Sequence, residues 1–255
     1  EQRYITGGVA RSAGQRDSLV QRFTVAGSDE PLTLVVNHLK SKGSGCYENG
    51  DGKIEPADLQ GKCTEFRVSA AKVLGDAVSK MPGQVLLVGD FNSYAKEDPI
   101  RVLTDYDPAT AERQIHSASH TFIGELPYEQ MGRAVEKNYG LIDVNLKFNQ
   151  EKAISYSYEA ELGTLDYALA NPALAKRVIA VADWHINSFE SNLFEYGSAF
   201  TGDLIKSDNP FSASDHDPII VDLKLNEQSK GGGGGAMGAL LLALLPLAWR
   251  RRHTS

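Results

Sequence analysis

The chain is poor in cysteine: Cys46 and Cys63 are the only two in 255 residues. That is too few for a disulfide-dense scaffold. It also lacks an excess of positive charge. The net charge is −7, and residues 1–230 alone carry −10, because Arg250, Arg251 and Arg252 sit in the tail. An acidic body argues against sequence-blind adhesion to nucleic acid through a basic surface. It leaves room for an enzyme that holds phosphate locally, since acids that ligate divalent cations count as negative. Before residue 229 there is no biased tract and no internal repeat. The chain opens on "EQRYITGGVARSAG", with no initiator Met or signal peptide.

What is present is a globular composition, 42% hydrophobic and 23% charged, enough for one sizeable domain. "LVQRFTVAGS" and "LTLVVNHL" (19–28 and 32–39) read as a hairpin of an interior sheet. "TEFRVSAAKVLGDAVSKM" has apolar residues at helical spacing and is closed by Pro82-Gly83. "QVLLVGDF" is a buried strand, and "EDPIRVLTDY" a short helix with Pro99 in its first turn. Residues 107–139 are polar and read as helix and loop. "GLIDVNLKF", "ISYSYEA", "GTLDYALAN" and "DPIIVDLKL" read as short strands or strand ends. The pattern predicts an α/β sandwich of sheets with flanking helices.

Cys46 and Cys63 bound the polar segment "CYENGDGKIEPADLQGKC". In a reducing compartment they would be two buried thiols; in an exported protein, one disulfide contributing ~3 kcal/mol by chain entropy. The tail favours export. Five glycines, Gly231–Gly235, precede "AMGALLLALLPLAW" and an arginine cluster. The apolar part is 14 residues, or 19 with the glycines, near the length that crosses a bilayer as a helix. The arginines would hold the C-terminus in the cytoplasm. The expected organisation is a catalytic portion over 1–228, a Gly-rich linker over 229–235 and a hydrophobic helix with its arginines over 236–255.

Four separated strand ends carry polar residues: Asn37, His38 and Lys40 in "VVNHLKSK"; Asp90 and Asn92 in "VGDFN"; Asp166 in "GTLDYALA"; Asp215 and His216 in "ASDHDPI". Any of these alone is a strand-to-turn junction, where Asp and Asn bond their own backbone. Together they suggest one sheet edge lined with metal and phosphate ligands. Carboxylate and amide oxygens suit Mg²⁺ or Mn²⁺. An Asp beside a His orients an imidazole and raises its basicity. The implied reaction is hydrolysis by an activated water. Phe91, between Asp90 and Asn92, is expected to point into the core. Lys40 and Lys42 read either as solvated charges or as contacts to a substrate strand. Trp184 and His185 in "ADWHIN" read as strand-end packing, and Arg67 as exposed.

In this order the motifs "NHLKSK", "GDFN", "LDY" and "SDH" resemble the endonuclease/exonuclease/phosphatase (DNase I-like) superfamily, over roughly residues 18–223. "NHLKSKGSGC", "GDFNSYAKEDPI" and "ADWHIN" resemble its secreted bacterial nuclease branch (ExeM/NucH type). The tail resembles the GlyGly-CTERM sorting signal. The resemblance implies a four-layered α/β sandwich, of which this chain supplies the C-terminal portion. The family's early motifs, a first-strand Asn and a metal-binding Glu, are missing before Leu32. It implies a divalent cofactor, Mg²⁺ with Mn²⁺ or Ca²⁺ as alternatives. It implies that His38, Asp90, Asn92, Asp166 and His216 are catalytic, that Asp215 binds metal, and that Asn37 and Lys40 contact substrate. In these roles His38 and His216 contact the scissile phosphate. Asp90 aligns or deprotonates the attacking water, Asn92 holds Asp90 and a phosphate oxygen, and Asp166 orients a catalytic histidine or the leaving oxygen. The partners implied are nucleic acid (DNA ahead of RNA), the inner membrane through the tail before processing, a rhomboid-type sorting protease and the type II secretion machinery. The location implied is secreted or cell-surface in a Gram-negative bacterium. A phospholipid or nucleotide phosphodiesterase and a non-catalytic membrane-tethered scaffold are the alternatives.

Overall fold

The structure is a computed structural model that describes residues 2–6, 9–26, 28, 30–43, 46, 58–119, 121–123, 126–186, 188–191, 193 and 209–224, with backbone alone for 2–14 and 122–123. Its centre is a five-stranded mixed sheet in the order β3-β4-β5-β11-β8. These strands are β3 (Leu19–Phe23), β4 (Leu32–His38), β5 (Gln84–Asp90), β11 (Asp166–Ala170) and β8 (Ile142–Asp143). The expected hairpin forms, with β3 antiparallel to β4. Among the described residues β3 pairs on one side only, so the hairpin makes one border of this central sheet. β4 runs parallel to β5, and β5 antiparallel to β11. The parallel step needs a crossover, supplied by α1 (Thr64–Val78).

The run "VLLV" is apolar at every position because the sheet is covered on both faces. On one face Val85 and Leu87 join Val68, Ala71, Leu74, Ile100, Val102 and Leu103 of α1 and α2 (Asp98–Thr104). On the other, Leu86 and Val88 pack with Ala168, Ala170, Val178, Val181, Ile219 and Val221. That second layer is the antiparallel pair β12 (Val178–Asp183) and β13 (Ile219–Leu223), flanked by α3 (Val144–Asn149) and α4 (Pro172–Ala175). The molecule is thus an α/β sandwich, and helices, central sheet and second sheet are its layers among the described residues.

Three sequence expectations change. "GLIDVNLKF" is a two-residue strand followed by α3, because the Asp143 side chain accepts from the Leu146 amide and caps a helix. The described residues of 107–139 hold no helix. They form turns, the strands β6 (Thr121–Ile123) and β7 (Leu126–Pro127), and a bridge between His116 and Ala134. With β1 (Gln2–Thr6) and β2 (Val9–Gln15), β6 and β7 make a separate four-stranded sheet. Arg67 is fully buried rather than exposed. Its guanidinium donates to the carbonyls of Lys40 and Lys62 and to Ser93 Oγ, so a charge inside the core is compensated by fixed oxygens. The Arg67 bonds tie α1 to the loops after β4 and β5.

Cys46 and Cys63 form a disulfide, with Cα atoms 5.7 Å apart. Among the described residues no helix is long and apolar enough to cross a membrane. The expected linker (229–235) and hydrophobic tail (236–255) lie outside the described residues, as does most of the disulfide-bounded loop.

Candidate active site

Sheet register sets the site. His38 is paired with Asp90 across β4 and β5, and Asp90 with Asp166 across β5 and β11. Directly paired residues point to the same face, so the three side chains make one row across three strands. Getting β4 and β5 this close requires Gly89. Its φ is +122°, and a Cβ there would lie 2.0 Å from the Asn37 carbonyl oxygen. Beyond β5 the chain turns through Asn92, at a left-handed φ of 47°, a conformation Asn tolerates better than most residues. Phe91 goes inward as expected and is fully buried, edge-on to Tyr167 at 5.7 Å.

Asp90 is held at both oxygens. Oδ1 accepts the Asn92 amide at 2.7 Å, and Oδ2 accepts Asn92 Nδ2 at 2.9 Å. Nδ2 also donates to the Leu39 carbonyl at 3.1 Å. Both hydrogens of that amide are therefore engaged, and Asn92 positions Asp90 rather than reaching out to a phosphate oxygen. His38 Nε2 stands 3.4 Å from Asp90 Oδ2, with about half its side chain exposed.

His216 comes from the turn before β13. Its Nδ1 lies 2.6 Å from Asp166 Oδ2, which also accepts Ser155 Oγ at 2.8 Å. Ser155 is buried, and its own carbonyl accepts the Asp217 amide at 2.8 Å, fixing the turn that carries His216. Tyr156 covers the imidazole at 4.4 Å between ring centroids. Burial by itself would lower the His216 pKa. The bond and charge of Asp166, with the charges of Asp90 and Asp215, outweigh it and hold the imidazolium above the ordinary histidine value. Burial raises the pKa of Asp90, opposed by the Asn92 amide and reinforced by Asp166.

These groups line a cleft of about 500 Å³ formed by Arg16, His38, Ser41, Asp90, Asn92, Tyr156, Leu165, Asp166, Ser214, Asp215 and His216. Asp90, Asp166 and His216 each offer one donor atom, and the three atoms lie within 4.8 Å of one another. Two carboxylates and an imidazole, with the Asp215 carboxylate on the same wall, are a donor set that could hold a divalent cation. Asp215 is on the wall without belonging to the converging three. A neighbouring hollow of about 560 Å³, lined by Val88, Ala168, Trp184, Ile219 and Val221, shares Asp166, Ser214 and His216 with the cleft, but the rest of its wall is mostly apolar.

Two of the residues expected to touch substrate stand elsewhere. Asn37 is buried, donating to the Val35 carbonyl and accepting Ser18 Oγ at 2.7 Å. Lys40 is buried, its amide held by Gln15 Oε1 at 2.8 Å. Lys42 stands outside the cleft, half-buried: it bonds Glu97 at 2.5 Å and sits 4.1 Å from the centroid of the Tyr94 ring. Sequence reasoning missed Arg16, the one Lys or Arg on this wall among the described residues, whose neighbour Gln15 is pinned to the His38 carbonyl at 2.9 Å. It also missed Ser155 and Tyr156.

A second His–Asp pair lies outside the cleft. His185 Nδ1 is 2.9 Å from Asp217 Oδ2, and the fully buried Asp217 side chain also accepts the amides of Ile186 and Ser188 and Ser188 Oγ. As expected of "ADWHIN", this pair packs at a strand end.

No protein-family model and no curated protein sequence matches the chain. Among solved structures it is similar to an AP endonuclease from Archaeoglobus fulgidus, at 14% identity and a TM-score of 0.39 over 84% of this chain and 73% of the other.

Proposed function

We propose that the protein is a divalent-metal-dependent phosphodiester hydrolase, a nuclease acting on DNA ahead of RNA. One observation carries the reading: four segments separated in sequence bring His38, Asp90, Asp166 and His216 to one rim, with the carboxylates fixed and the imidazole oriented. In-line attack by water adds negative charge to the phosphoryl oxygens, and donors aimed at that charge lower the barrier.

His216, whose protonated form the bond and charge of Asp166 favour against burial, faces that charge or supplies a proton to the leaving oxygen. Asp90, anchored by Asn92, orients the attacking water and accepts its proton. His38 and Arg16, which line the same cleft, contribute donors to the phosphate. A cation held by Asp90, Asp166 or Asp215 would add Lewis-acid stabilisation of the phosphoryl oxygens. The sorting-signal resemblance supports a secreted or cell-surface enzyme of a Gram-negative bacterium. On this proposal it is held transiently in the inner membrane by residues 236–255, released by a rhomboid-type protease and exported by type II secretion.

Incubation with plasmid and single-stranded DNA and Mg²⁺, with and without EDTA, tests the reading beside Asp90→Ala and His216→Ala. Cleavage that requires metal and disappears in both variants is expected. Hydrolysis of a phospholipid or nucleotide diester without nucleic-acid cleavage would replace the substrate, and inertness toward every phosphoester would leave a tethered scaffold.

A further inference from the structure

The hairpin of β9 (Tyr156–Tyr158) and β10 (Glu161–Gly163) adds no residue to the buried clusters, yet its Tyr156 lines the cleft. Tyr156 and Tyr158 are two apart, so they share one face of the hairpin. Their rings are nearly parallel, 15° apart with centroids 6.4 Å apart, and they continue outward from the His216 imidazole, which Tyr156 covers. Tyr158 is 56% exposed. The row therefore starts on a catalytic side chain and ends in solvent.

The hairpin is held firmly. Its turn places Glu159 and Ala160 at left-handed φ of 48° and 66°, the sense that matches strand twist in a two-residue hairpin. At its base Gly163 lies flat on Tyr94, where a Cβ would come within 2.5 Å of the ring. The Ser155 amide and Thr164 Oγ close the stem on the Gly163 and Ala153 carbonyls at 3.0 and 2.7 Å.

We infer that this tyrosine row is a stacking platform for an unpaired nucleobase next to the phosphate in the cleft. The inference rests on the nuclease reading and adds a substrate class to it: a single strand, or the frayed or gapped end of a duplex. A base inside a continuous helix has both faces covered, whereas an unpaired base offers its π-face to an exposed ring, and such stacking tolerates any sequence. Glu161 lies opposite Tyr158 in the hairpin register. A carboxylate there disfavours a phosphate on the ledge but not an uncharged base.

The test is binding in EDTA, without turnover, to a single-stranded oligonucleotide carrying 2-aminopurine and to a fully paired duplex, together with steady-state cleavage in Mg²⁺. Tyr158→Ala is expected to weaken single-strand binding and raise KM about tenfold, to reduce quenching of the probe, and to leave kcat within about twofold. Tyr158→Phe should restore affinity, because the ring does the stacking; it also guards against loss of fold as the cause. Equal affinity of native and Tyr158→Ala protein for the single strand would overturn the platform, as would an equal loss on single strand and duplex. Should native protein neither bind nor cut any nucleic acid, the nuclease reading itself fails, a result distinct from either.

Discussion

Two histidine–aspartate pairs of similar separation meet at the Asp215–Asp217 segment, and the proposed function gives them different work. His216 and Asp166 are 2.6 Å apart, His185 and Asp217 2.9 Å. In the first pair the imidazole has Asp90 and Asp215 within electrostatic reach and the cleft in front of it. In the second, the carboxylate is the busy partner: it is buried under four hydrogen bonds, while the imidazole leans on Phe189 with about half its side chain exposed. A His–Asp contact is thus not a catalytic signature by itself. What decides is whether the free side of the ring faces groups that can share a substrate.

The comparison breaks most sharply on activity. His216→Ala should lower kcat on DNA by about 10²–10⁴-fold, the range of a positioned acid–base group, whereas His185→Ala should change it less than about threefold. Stability should respond in the reverse order. Asp217→Ala removes a buried, multiply bonded carboxylate and should cost about 2–4 kcal/mol in denaturant unfolding, with Asp166→Ala, at a partly exposed rim, costing less. Gly89→Ala belongs to both columns. It collides with the Asn37 carbonyl, so cleavage should fall with a stability loss of about 2 kcal/mol or more. Reduction of the Cys46–Cys63 disulfide should lower stability by about 2–4 kcal/mol without altering the pairs.

The smallest effect is in pH, and its sign separates the pairs. The His216 pKa is raised in the folded protein. Its contribution is complete below the ordinary histidine value and is lost as pH rises through the raised one. For Asp217, burial pushes the carboxyl pKa upward, but the bonds from His185, Ser188 and Ile186 win and hold it below the usual aspartate value. That contribution is present above the ordinary value and is lost as pH falls through the lowered one. In unfolding curves measured without added metal, His216→Ala should flatten the decline on the alkaline side and Asp217→Asn the decline on the acid side.

The polar rim was readable in the sequence because strand ends announce themselves: an apolar run stops at Asp90, Asp166 starts one, and alternation fixes the face. Asn37 failed for the same reason. It is part of such a run, but its register turns the amide inward between two strands. Arg67 was unreadable because the oxygens that receive it belong to loops 5 and about 26 residues away. Arg16 and the Tyr156–Tyr158 row depend on which loops meet at the rim, and periodicity does not encode that. The α3 cap was visible in principle as Asp143 before "VNLKF", but the neighbouring apolar residues read equally well as a strand.

The most direct measurement compares kcat for Mg²⁺-dependent DNA cleavage by His216→Ala and His185→Ala, each verified as folded by its unfolding curve. The account predicts loss in the first and near-native turnover in the second. Equal losses, or none in either, would contradict the placement of the chemistry in the His38–Asp90–Asp166–His216 cleft.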